Sequence, residues 1–174
     1  MTVGARGWLA AGALVLALAG CGSSSSTPTP TAAPSTPPGL VVGPARDFGD
    51  ACRLLTPAEV QSATSVGPVT AGSRKDPQLG SYCTYTPAGG SSVPVLTVQA
   101  VVEYTAAAAR AMVDQSGGPT LSGVGDDARL ARPGGLGSAV YLSKGTSYVV
   151  LSSIHKDVTE QELTRLAGTL AGRL

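Results

Sequence analysis

Val93-Pro94-Val95-Leu96-Thr97-Val98-Gln99-Ala100-Val101-Val102 decides the architecture of this chain. Leu96, Val98, Ala100 and Val102 fall on one side of an extended backbone and Thr97 and Gln99 on the other, because strand side chains alternate with period two. An apolar face backed by a polar one marks a half-buried antiparallel strand, so its neighbours should build a sheet with helices on the apolar side. Ser81 to Thr86 alternates ahead of it and predicts a strand carrying Cys83, with a turn over Pro87 to Ser92. Val124 to Ala131 predicts a strand after Gly123, broken by Pro133-Gly134-Gly135. Ala139 to Ser143 and Thr146 to Ile154 predict a hairpin around Lys144-Gly145, and the second arm, apolar in part on both faces, should lie centrally. Thr70 to Gly80 is polar and turn-rich, and reads as a surface loop.

Three helices carry their own start signals. Thr56 is placed to cap, Pro57 takes the first helical position where its missing N–H costs nothing, and Glu59 stands at N3 to close a capping box, with Leu55 and Val60 as a hydrophobic staple. Thr105 caps a second helix to about Ser116, with Ala109, Met112 and Val113 on one face and Gly117-Gly118 as the stop. Thr159 and Glu162 form another box around a staple of Val158 and Leu163, and Leu163, Leu166, Ala167, Leu170 and Leu174 make one stripe at helical spacing. That stripe must pack on the sheet. The order helix, two strands, helix, about three strands, helix predicts a single α+β domain over residues 46–174, a mostly antiparallel sheet of about five strands with about three helices packed mainly on one face.

Residues 1–20 read as a lipoprotein signal peptide. Arg6 precedes an uncharged run from Trp8 to Ala19, which matches the roughly 7–15-residue core of export signals and falls short of the roughly 18 residues a spanning helix needs. Leu18-Ala19-Gly20-Cys21 resembles the lipobox of bacterial lipoproteins. The resemblance implies that Cys21 takes a diacylglyceryl thioether, carries fatty chains such as palmitate and becomes the mature N-terminus, anchored to the cell membrane because two acyl chains hold where one binds marginally. A secreted alternative rests on Ala17-Leu18-Ala19, which fits an A-x-A cleavage site. Residues 21–45 then read as the lipidated Cys21 and a disordered Ser/Thr/Pro tether, about 70 Å long at full polyproline stretch. Such stalks also suit O-glycosylation, with a plain spacer the simpler reading.

Lipidating Cys21 leaves Cys52 and Cys83, which should pair in an exported, oxidising setting. Metal binding is the alternative, but two lone cysteines and a distant His155 make no ligand set. The chain holds 12 Lys and Arg against 11 Asp and Glu, and Arg6 leaves with the leader, so the mature chain is formally neutral. Neutrality argues against nucleic acid as a partner, since phosphate backbones are bound through clustered Lys and Arg. Trp8 also leaves with the leader, so aromatic platforms would have to be built from tyrosine.

The order of Cys52-Arg53-Leu54-Leu55-Thr56-Pro57-Ala58-Glu59-Val60, Cys83-Thr84-Tyr85, Gly123-Val124-Gly125-Asp126-Asp127-Ala128, the hairpin and the terminal amphipathic helix resembles actinobacterial cell-envelope lipoproteins built on a domain of unknown function. The resemblance covers most of residues 47–174. It implies an exported, tethered α+β domain with a disulfide between Cys52 and Cys83, and it carries over no catalytic residue.

Several stretches invite a chemical reading. Gly123 to Ala128 matches G-x-G-x-x-A, but a dinucleotide fingerprint opens a helix, whereas a strand-like run and Pro133 follow here. Gly123, Gly125, Asp126 and Asp127 therefore read as a turn or a ligand-holding motif, and the two aspartates lack the further oxygens of a calcium site. Ser153-Ile154-His155-Lys156 spells S-x-x-K, yet penicillin-binding enzymes open a helix on that serine and add motifs missing here; His155 with Ser152 or Ser153 has no nucleophile elbow. The reading is no catalytic set, no cofactor and no metal site: a membrane-anchored extracytoplasmic lipoprotein acting as a non-enzymatic binding or accessory module for an envelope protein or a lipid. A groove between sheet and helices lined by Leu96, Val98, Met112 and Leu166 would suit an amphiphile, although the same residues suit a plain core. The alternative is an envelope hydrolase using Asp126, Asp127 or His155.

Overall fold

Alternation around Leu96 is realised in a six-stranded sheet. The computed structural model describes residues 47–103 and 105–174; the expected leader over 1–20, the expected lipidation of Cys21 and the expected tether over 21–45 lie outside the described residues. In chain order come a 3-10 turn at Ala51–Arg53, helix α1 (Pro57–Ala63), strands β1 (Val69–Asp76), β2 (Gly80–Pro87) and β3 (Leu96–Val102), helix α2 (Ala106–Gln115), strand β4 (Asp127–Ala131), a 3-10 turn at Pro133–Gly135, strands β5 (Ser138–Lys144) and β6 (Ser147–Ser153), and helix α3 (Glu160–Ala171). All neighbouring strands run antiparallel in the order β1-β2-β3-β6-β5-β4, which puts β6 centrally beside β3.

The sixth strand is a correction. Thr70 to Gly80 is not a surface loop, because most of it is β1, paired with β2 from Val69 opposite Pro87 to Asp76 opposite Gly80. Six of its eight residues are exposed, so it carries no apolar alternation, and the backbone of β2 alone makes it a strand. The hairpin turn also shifts by one residue. Lys144 pairs with Ser147, the turn is Gly145-Thr146, and Gly145 at φ 57° supplies the positive φ that tight hairpins favour. β3 starts at Leu96 rather than Val93, consistent with Pro94 having no N–H for a ladder.

Alternation along β3, β6 and β5 sends Leu96, Val98, Ala100, Val149, Leu151, Val140 and Leu142 to one face. There they meet Leu163, Leu166, Ala167 and Leu170 of α3, with Leu54, Leu55 and Val60 closing the end of the same core. The opposite face is covered in part by α2, whose Ala109 and Val113 pack with Val101 and Tyr148. Two of the three helices thus share one face. Met112, expected with Ala109 and Val113, is 39% exposed, since it lies on the outer side of α2.

Both capping boxes form as the spacing requires. Glu59 accepts from the Thr56 N–H at 2.7 Å, and Glu162 from the Thr159 N–H at 2.7 Å. Polar contacts then fix the N-terminal segment to the sheet. Asp50 accepts from the Cys52 N–H at 3.0 Å and from the Ser73 hydroxyl at 2.8 Å, the buried Tyr85 hydroxyl donates to the Leu55 carbonyl at 2.6 Å, and Cys52 is joined to Cys83 by a disulfide. Arg173 just beyond α3 donates to the Leu54 carbonyl at 2.8 Å and to both carboxylate oxygens of Glu59. The first and last segments of the domain are thereby clamped together.

Two outcomes follow. Replacing Cys52 and Cys83 together by Ser should lower stability by about 4 kcal/mol, the chain-entropy value for a sequence separation of 31; equal denaturant midpoints for oxidised wild type and the double variant would contradict that. The Arg173 guanidinium, with the Thr56 N–H, draws the Glu59 pKa down to about 2. The fold therefore favours ionised Glu59, and the contribution is complete above about pH 4.3, the ordinary glutamate value, and disappears as pH falls through about 2. Arg173→Met should cost about 1 kcal/mol near pH 6, a figure discounted for partial exposure, and the gap to wild type should close towards pH 2.

Candidate functional site

The sequence-predicted residues fall at two opposite ends of the sheet. Gly123 and Gly125 adopt φ 77° and 64° in the turn that leads into β4. The Asp126 N–H donates to the Ser143 carbonyl at 2.8 Å, and the Asp126 carboxylate accepts from the Gly145 N–H at 2.8 Å. Arg110 of α2 stands 4.0 Å from the same carboxylate. A Cβ on Gly125 would lie 2.4 Å from the Ser143 carbonyl oxygen, so only glycine lets the two backbones approach. This turn is a clasp over the β5–β6 hairpin. Asp127 opens β4 opposite Ser143.

At the other end, Ser153 closes β6 opposite Ser138. Its buried hydroxyl donates to the Val95 carbonyl at 2.6 Å and accepts from the His155 N–H at 3.0 Å, so the serine of S-x-x-K ties two strands together. His155 turns back on Asp157, accepting its N–H at Nδ1 over 3.4 Å. Five residues of β5, roughly 17 Å of strand, separate the levels of Asp127 and His155. The structure does not bring Asp126, Asp127 and His155 into one site.

The expected groove between sheet and helices is not built from its four named residues. Leu96, Val98 and Leu166 belong to one buried cluster, and Met112 lies beyond the opposite face. A groove of about 450 Å³ opens instead where α2 ends, β4 ends and α3 begins, lined by Ser116, Pro119, Leu130, Arg132, Pro133 and Glu160 among others. Arg132 donates to Glu160 at 2.6 Å and Ser138 adds a second donor at 3.1 Å. Arg132 beside it holds the Glu160 carboxyl below the usual glutamate range. The wall is mixed: Pro119, Leu130, Ala131 and Pro133 stand beside Ser116 and the Arg132–Glu160 ion pair.

At the same end of the sheet two large apolar side chains stand in water. Leu136 is 80% exposed and Ile154 is 65% exposed. Gly137 brings their two segments together: a Cβ there would lie 2.3 Å from the Ser153 carbonyl oxygen and 3.0 Å from the Ile154 Cα. Val93, 48% exposed, precedes Val95, which is bonded to Ser153 at the same end. Sequence reasoning missed these residues because they come from three separate loops. One signal was available: Leu136 sits between Gly135 and Gly137, where neither neighbour can cover it.

Geometry defines a disulfide-fastened α+β domain with a groove of mixed lining at one end of an antiparallel sheet. A family described as Protein of unknown function (DUF3558) matches residues 16–169, and the chain belongs to that family. The match takes in Leu18 to Cys21 as well as every strand and nearly all of α3. No curated protein matches the chain significantly.

The clasp predicts an asymmetry between its two glycines. Both Gly123→Ala and Gly125→Ala incur the strain of positive φ, about 1 kcal/mol, but only the second drives a methyl into the Ser143 carbonyl. Gly125→Ala should therefore lower the unfolding free energy by about 2 kcal/mol more than Gly123→Ala, and equal losses in denaturant titrations would refute the clasp.

Proposed function

We propose that the mature protein is an extracytoplasmic lipoprotein of the actinobacterial cell envelope, held to the cell membrane by acylated Cys21, and that it acts as a non-enzymatic binding or accessory module. The apolar run ending in Leu18-Ala19-Gly20-Cys21 supports the anchor, and so does a family match that begins ahead of it. A disulfide that fastens the start of the domain to β2 suits an oxidising compartment. The observation that carries the binding role is the exposure of Leu136 and Ile154 at the end of the sheet where the groove opens. Exposing two large aliphatic residues at one end of the sheet is costly in water, and exposure of that kind marks interaction surfaces. This end of the sheet is also remote from Asp47, which Lys75 holds at the other end. The ligand class that fits is an envelope protein or an amphiphile with an uncharged face.

Complementation of a deletion strain tests the reading in three arms. Cys21→Ser should move the protein from the detergent phase to the aqueous phase and fail to complement; unchanged partition would refute the anchor. Leu136→Asp with Ile154→Asp should abolish complementation while leaving the thermal transition in place. Asp126→Asn, Asp127→Asn and His155→Gln together should complement fully. Loss of function in that third arm, with the fold intact, would favour the hydrolase over the binding module.

A further inference from the structure

We propose that β1 pairs with the same strand of a second copy of this chain, antiparallel about Gly72, to give a closed dimer with one continuous sheet. The two edges of the sheet are treated differently. Along β4 the outward groups are taken: the Leu130 N–H donates to the Pro119 carbonyl at 3.0 Å and the Leu121 N–H to the Ala128 carbonyl at 2.8 Å. Along β1, among the described residues, nothing pairs with the outer side. The Ala88 N–H bonds the Pro68 carbonyl directly opposite, and alternation from that pair turns Thr70, Gly72, Arg74 and Asp76 towards β2. Val69, Ala71, Ser73 and Lys75 are left with N–H and C=O directed outward.

Only one register uses all four. Setting Gly72 on a two-fold axis places Ala71 opposite the partner's Ser73 and Val69 opposite the partner's Lys75, for about eight inter-chain hydrogen bonds. Arg74 then faces the partner's Thr70, and no like charges meet. Small residues, Ala71-Gly72-Ser73, occupy the axis where the two edges come closest. Edge strands are commonly protected by lysine and arginine, but here both heads are drawn back onto their own subunit. The Arg74 guanidinium lies over the Tyr82 ring at 5.1 Å, and Lys75 is paired with Asp47 at 2.8 Å. Since the β4 edge is covered, the contact closes after two copies and does not propagate into a fibre.

Gly72→Cys in the full-length, exported protein tests the register. The site accepts a side chain, because a Cβ there meets only the Thr84 hydroxyl at 3.4 Å and its φ is not positive. Two such cysteines on the axis should give about tenfold more disulfide dimer on non-reducing gels than Ser91→Cys in an exposed loop, through their high effective concentration. Ala71→Pro removes an outward N–H that the single subunit does not use, and should abolish the Gly72→Cys dimer without moving the unfolding midpoint. Crosslinking no greater than in Ser91→Cys, crosslinking to a different protein, or a dimer that survives Ala71→Pro would each overturn the proposal.

Discussion

The pairing of β3 with β6 is the contact on which the rest of the domain depends. Strands β1, β2 and β3 are neighbours in order along the chain, as are β4, β5 and β6, and the sheet joins the two groups only where Thr97 to Val102 runs beside Ser147 to Ser152. Its register sets Val98 opposite Leu151 and Ala100 opposite Val149, so both strands present apolar side chains to α3 at the same level. A slip of one residue would turn those side chains to the opposite face. Burial of each such Val or Leu is worth about 1.5–3 kcal/mol, and the register is therefore held by several residues at once.

Around that core, polar contacts decide where the remaining segments lie. The N-terminal segment buries Ala51, Leu54 and Leu55 in the core, and polar contacts fix how it lies there. It is fastened by Asp50 to Ser73, by Tyr85 to the Leu55 carbonyl, by the disulfide and by Arg173. Lys144 donates to the Ala171 carbonyl at 2.8 Å, a cation at the negative end of α3 where the helix leaves its last carbonyls unpaired. These groups are spent on the fold. The same holds for Asp126 and Ser153, whose side chains are engaged by backbone groups. Asp126 and Ser153 thus serve as fasteners of the fold.

The two 3-10 turns are held differently. Ala51–Arg53 lies beside β2 and is fixed by the disulfide, whereas Pro133–Gly135 between β4 and β5 carries Leu136 into water.

The sequence by itself determined what depends on neighbours a few residues apart. Both capping boxes, the α3 stripe, the alternation of Leu96, Val98 and Ala100 and the central place of β6 were legible, because local hydrogen bonds and side-chain periodicity are written in short windows. The α+β class followed from their order. Tertiary structure decided what depends on distant pairing. β1 is a strand only because β2 lies beside it, and the turn shifts to Gly145-Thr146 because the β5–β6 register requires it. Arg132 meets Glu160 across a separation of 28 residues, and no local pattern encodes such a contact. The groove could be found only in the fold, since loops brought together by a sheet share no period along the chain.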